Sequence, residues 1–362
     1  MNQWINEIFQ NSKRVAVPVM THPGIELTGH RVIEAVTDGR VHYEAIKYLA
    51  DHYPSFATST IMDLTVEAEA FGCQINFPED EVPSVVGRLV SDADSVAALQ
   101  VPDLQAGRVP EYLKAVRLAV EHITDRPVLA GCIGPFSLAG RLYDMSEIMV
   151  AIYTDPEVIL QLLDKCTAFI LKYCAELKRL GASGVFIAEP AAGLLSNEDC
   201  MAYSTVFIRQ IVQTLQDDDF AVILHNCGNT GQCTQAMVES GVAALHFGNA
   251  IDMVSALQEC PSSLLVMGNI DPVGIMKQAS PEVVRKETLA LLEATASCRN
   301  FVLSTGCDVP PQVSQENIAA FFQALDEFNL CMVYNLNTGE IPDQAQAPGL
   351  NAARERLKLD RM

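Results

Sequence analysis

The chain has 362 residues, 49% of them hydrophobic and 19% charged. That composition supports a sizeable core and argues against disorder. With 24 Lys and Arg against 45 Asp and Glu, the net charge is −21. A surface this acidic repels phosphate backbones and anionic lipid, so no nucleic acid and no membrane is expected as a partner. A locally positive pocket could still take an anionic small molecule.

The chain opens MNQWINEIFQNSKR, polar throughout, with no basic-then-apolar leader. No apolar run reaches the ~18 residues of a membrane span. Eleven cysteines, an odd number, then read as reduced thiols of a cytoplasmic protein, either buried or metal-ligating.

Eight strand-like runs follow in order: 14–20 (RVAVPVM), 57–62 (ATSTIM), 127–133 (PVLAGCI), 184–188 (GVFIA), 220–224 (FAVIL), 243–247 (AALHF), 263–267 (SLLVM) and 300–304 (NFVLS). Continuous Val- and Ile-rich runs suit parallel strands buried on both faces. Between the later runs lie helices. One starts at Asp155 and Pro156 and ends at Gly181, one starts at Ser280 and Pro281, and a closing one spans 315–328. The expected fold is an α/β, (β/α)8 TIM-type barrel. It carries an insertion between the second and third strands, over 63–126, hairpin-like around 78–83. A single barrel domain spans 1–362, with a core over about 14–330. Residues 331–362 read as a tail or short terminal helix, open to packing on a neighbouring copy in a homo-oligomer.

In such barrels the active site gathers at the C-terminal ends of the strands. The polar residues there are Thr21 and His22, Asp63, Ser137, Glu189, His225 and Cys227, Asn249, Asp271, and Cys307 with Asp308. His225 and Cys227, at i and i+2 on extended chain, point the same way. Cys307 follows another strand whose end shares the same rim. One His and two Cys form a soft set suited to Zn2+, and three protein ligands leave a fourth position open. The plainer alternative is a buried His among buried thiols. Glu189, Asp63 and Asp271 are either catalytic carboxylates or rim acids and turn caps. Tyr143 binds a ligand or packs, His246 reads as a satisfied core histidine, and at most one of Glu67 and Glu69 faces inward. Dinucleotide, P-loop, GxSxG and HExxH motifs are absent.

The segments MDLTVEAEAFG (62–72), GPFSLAGRLYD (134–144), AEPAAGLLS (188–196), HNCGN (225–229), GNIDPVGIM (268–276) and STGCDVPPQVSQENIAAF (304–321) are shared with a known group. Through them the chain resembles the uroporphyrinogen decarboxylase superfamily, within it the zinc-dependent methylcobamide:coenzyme M methyltransferase branch. The resemblance implies a barrel and a His-x-Cys…Cys zinc motif on His225, Cys227 and Cys307. It also implies methyl transfer from a methylated corrinoid, free methylcobamide or corrinoid protein, to a thiol substrate such as coenzyme M. Zn2+ then holds the sulfur as a thiolate for in-line attack on the methyl group. Glu189 becomes a candidate fourth ligand. Asn249 and Asp271 become orienting groups, and Asn249 and Tyr143 candidate corrinoid contacts.

The decarboxylase branch matches less well. Its Arg-rich N-terminal motif is replaced here by VAVPVMTHPG (15–24), although Asp63 can match its essential Asp. A decarboxylase and a non-catalytic zinc-containing corrinoid or tetrapyrrole binder stand as the alternatives. Metal content separates the first from the zinc readings, and turnover of methylcobalamin separates the second from an enzyme.

Overall fold

The computed structural model describes residues 2–338. Seven strands form one parallel sheet in sequence order: β1 (Thr58–Ser59), β4 (Val128–Ile133), β5 (Gly184–Ala188), β6 (Ala221–Asn226), β7 (Ala244–Phe247), β8 (Leu265–Ile270) and β9 (Phe301–Thr305). β2 (Gln74–Asn76) and β3 (Ser84–Val86) pair antiparallel in a separate hairpin, within the long connection between β1 and β4.

The eighth stave is the segment 15–19. Ala16 bridges Leu303 of β9 in the parallel sense. Phe56 N donates to Ala16 O at 2.8 Å, tying the other edge to the approach to β1 and closing the ring. The stave is a single bridge on its β9 edge because Val17 O and Val19 N, which would extend the ladder, bond to the Ser304 and Thr305 hydroxyls instead, and on its β1 edge Pro18 has no N–H to offer. The eight runs expected from the sequence are therefore the staves of a (β/α)8 barrel.

The strands of the seven-stranded sheet are buried on both faces, as their continuous apolar patterns require, whereas the β2–β3 hairpin is largely exposed. Val17, Leu129, Phe186, Ile223, Ala244, Met267 and Val302 pack together inside the barrel. Alternate residues such as Val222, Leu224, Leu245, Val266 and Leu303 pack with the surrounding helices. The long helix Pro156–Arg179 starts at Asp155 as expected, but the Asp155 side chain does not cap it and instead accepts from Thr154 Oγ1. Gly181, at φ +97°, ends it: Gly181 N donates to Lys178 O and Ala182 N to Leu177 O.

The opening segment differs from its polar reading. It is a helix, Gln3–Gln10, whose Trp4, Ile5 and Ile8 share one buried face. These side chains join the interior cluster, and Trp4 Nε1 donates to Ser183 O, just before β5. The helix thus plugs the N-terminal end of the barrel, opposite the strand ends that carry the polar residues. The closing helix is Gln315–Thr338, longer than the 315–328 expected. Of the expected tail, 331–338 continue this helix and 339–362 lie outside the described residues. No described helix is long and apolar enough to cross a membrane.

Candidate metal centre

β6 runs two residues further than its apolar run, through Asn226. His225 therefore lies inside the strand, in phase with Ala221 and Ile223, which face the barrel interior. Cys227 follows immediately. Cys307 comes two residues past the end of β9. Two glycines bring these loops together: a Cβ on Gly248 would stand 2.5 Å from Cys227 Cα, and one on Gly306 2.6 Å from Asn249 N.

His225, Cys227 and Cys307 present ligand atoms that all lie within 4.8 Å of one another. Cys307 Sγ is 3.6 Å from His225 Nε2. Ordinary Zn–S and Zn–N bond lengths at a tetrahedral angle also put N and S about 3.6 Å apart. The donor set, soft and compact, fits zinc, and no carboxylate belongs to it among the described residues.

The two thiols share charge. The Cys307 S–H donates to Cys227 and brings the Cys227 pKa down to about 7, against its partial burial. The Cys307 thiol is pushed up by the same bond and by burial. Behind the cluster, His225 Nδ1 is 2.7 Å from His246 Nδ1. His246 Nε2 is 2.8 Å from Ser304 Oγ, which donates to Val17 O at 2.7 Å. His225 and His246 are register partners on β6 and β7. His246 is buried, as expected of a core histidine, but its bonds lead to the cluster. The sequence carries a signal for this: adjacent strands end LHN and LHF, placing a His at matched depth in each.

Glu189 lies outside the metal group. Its buried carboxylate accepts from Phe136 N, Ser137 N and Ser137 Oγ, at the start of the helix Pro135–Tyr143. Burial raises its pKa to about 7 in spite of those bonds. Asp63 is also fully engaged, accepting from Arg108, Tyr112, Thr65 N and Thr65 Oγ1. Asp271 caps a turn, accepting from Val273 N and Gly274 N. Asn249 is exposed and packs against Gly306, beside Cys307. Tyr143 is buried at the end of its helix, within the apolar core. Of the two helical acids, Glu67 is buried and accepts from Ile133 N, while Glu69 pairs with Arg108. His22 is buried and stands 3.2 Å from Asp308, next to Cys307.

Fold and site together define a parallel α/β barrel with a compact His/Cys/Cys cluster at the C-terminal rim that could hold a metal ion. The uroporphyrinogen decarboxylase (URO-D) family model matches residues 12–328. The chain belongs to that family. It is 29% identical over 260 residues to the methylcobamide:CoM methyltransferase MtbA of Methanosarcina mazei, covering 71% of this chain and 75% of the relative. It is 27% identical over 290 residues to a uroporphyrinogen decarboxylase of Legionella pneumophila, covering 76% and 80%. Among solved structures, a methyltransferase from Methanosarcina mazei superposes with a TM-score of 0.81 at 22% identity, over 91% of this chain and 99% of that one. A B12-independent methionine synthase from Shewanella superposes at 0.55 and 14% identity, over 90% and 97%. Both structural likenesses are of fold.

Proposed function

We propose that this protein is a zinc-dependent methyltransferase that moves a methyl group from a methylated corrinoid to a thiol. The observation that carries the reading is the three-donor soft cluster at the barrel mouth, with the Glu189 carboxylate tied up elsewhere. The likeness to a methylcobamide:CoM methyltransferase supports it. His225, Cys227 and Cys307 would hold the ion. Zinc there would supply a Lewis acid that keeps an incoming thiol deprotonated near neutral pH.

The chain's own part is positional. β6 and β9 fix the donors, and the two cysteines are only partly buried, so substrate can approach them from the rim. In the reaction a sulfur–carbon bond forms as the cobalt–carbon bond breaks. Its electron pair stays with the corrinoid cobalt, and the thiol proton passes to solvent. The corrinoid arrives free or on a carrier protein, over the rim beside Asn249. The decarboxylase reading is disfavoured because Asp63 is enclosed by Arg108, Tyr112 and Thr65.

Elemental analysis of the purified chain, with a methylcobalamin assay over a panel of thiols including coenzyme M, tests the proposal. About one zinc per chain and zinc-dependent thioether formation are expected. Full activity without metal, or decarboxylation of uroporphyrinogen with no thiol methylated, overturns it. Corrinoid binding without turnover supports the binder instead.

A further inference from the structure

We infer that His246 and Ser304 are positioning residues that select the tautomer of His225, leaving its Nε2 bare and ready to bind a metal ion before any ion arrives. The inference rests on the zinc reading above only for its purpose; the hydrogen-bond geometry stands by itself.

The chain of bonds has a fixed end. Val17 O is a carbonyl and can only accept, so the proton between it and Ser304 Oγ, 2.7 Å away, belongs to the serine. Ser304 has one proton. Having given it to Val17, its oxygen can only accept from His246 Nε2 at 2.8 Å. His246 therefore carries its proton on Nε2. Among the described residues neither imidazole is bonded to a carboxylate, and His246 is fully buried with its ring edge-on to Phe186. A neutral His246 with Nε2–H has a bare Nδ1. That atom faces His225 Nδ1 at 2.7 Å, so His225 supplies the proton of this bond. A neutral His225 protonated on Nδ1 has its lone pair on Nε2, so the 3.6 Å approach to Cys307 Sγ, whose own proton goes to Cys227, is a contact with no proton in it. The reverse arrangement would give the weakly accepting Cys307 Sγ a donor but leave the stronger acceptor Val17 O without one in the barrel interior, at about 1–3 kcal/mol.

The relay follows from strand parity. His225, His246 and Ser304 all occupy inward positions, continuing Ile223, Ala244 and Val302 toward the rim. A ligating histidine commonly donates its other ring N–H to a carboxylate, carbonyl or water. Here the acceptor is a second histidine, itself oriented from the first stave.

The test is 15N NMR of the metal-free, histidine-labelled protein, with the seven histidines assigned by single substitutions. In the wild type His225 should show a protonated Nδ1 and a bare Nε2, and His246 the opposite. Ser304→Ala should mix the two tautomers at both rings and weaken zinc binding about 10-fold, within the usual range for losing such a partner. Ser304→Thr, which keeps the hydroxyl, should restore both. A wild-type His225 protonated on Nε2 overturns the inference. So does a Ser304→Ala protein with unchanged tautomers and zinc affinity within about twofold of wild type. Failure of the wild type to bind zinc would instead defeat the zinc reading, because the tautomers are read without metal.

Discussion

Arg108 reaches back 45 residues to Asp63, and its Nη1 donates to Oδ2 at 2.6 Å, with the Asp63 side chain only 1% exposed. The same guanidinium donates to Thr65 Oγ1 and Glu69 Oε2 and lies 4.7 Å over the Phe77 ring. The pair binds the strand-end loop after β1 to the helix Val109–His122, within the inserted connection. Removing one member of such a pair strands a buried charge. Arg108→Met should therefore cost about 3–5 kcal/mol in denaturant unfolding. Asp63→Asn should cost less, because Arg108 keeps Glu69. A loss under about 1 kcal/mol for Arg108→Met would mean that Asp63 is solvated and available to substrate after all.

Cys307→Ser replaces a soft thiolate with a neutral hydroxyl and should lower zinc content and thiol methylation together, with the barrel still folded. Cys298→Ser is the control: Cys298 lies near Phe9 and Cys260, toward the N-terminal end of the barrel, and should keep full metal content. Zinc per chain and the methylcobalamin-to-thiol rate read both. If Cys307→Ser keeps its zinc and its rate, this residue is not a ligand.

At the proposed site zinc would take both cysteines as thiolates, so its binding should release protons and its affinity should rise with pH. Cys227 titrates near 7 and Cys307 much higher. Below pH about 7 each zinc should displace about two protons from the pair, and above it about one. Calorimetry in buffers of different ionisation enthalpy measures that number. A pH-independent affinity would remove both thiols from the site.

Glu67 has one carboxylate oxygen bonded to Ile133 N and the other buried without a partner among the described residues, and burial raises its pKa to about 8. Between the ordinary carboxyl range and that value the unfolded chain is ionised while the folded one holds its proton. The folded state thus binds more protons, and this group makes stability fall as pH rises through that window. Glu67→Gln should flatten the fall and stabilise the protein above pH 8 by about 1–3 kcal/mol, as judged by urea midpoints. A variant less stable than wild type at that pH would show that the free oxygen has a partner the Gln cannot replace.

The staves were legible in the sequence because both of their faces are buried, which writes each strand as an unbroken apolar run. Gly184–Ala188 matches its expected bounds at both ends. β6 and β8 extend past their runs because inward positions near the rim carry polar side chains, His225 and Asn269, that no apolar pattern records. The helix Gln3–Gln10 was hidden because its apolar face is three residues among polar ones. The cluster of His225, Cys227 and Cys307 could be placed from strand ends alone. The engagement of Glu189 and Asp63 could not, since it depends on a helix start and on an arginine far along the chain.

The two halves of the metal cluster are 82 residues apart, measured from His225 to Cys307. At ordinary translation speeds of about 5–20 residues per second, roughly 4–16 s pass between their synthesis. For that interval a nascent chain presents His225 and Cys227 without their third donor. Such a bidentate fragment would hold metal weakly and leave one thiol open to oxidants. On the zinc reading, correct loading would depend on delivery after the last βα unit emerges from the ribosome, which would make the timing of metal supply part of how this barrel is matured.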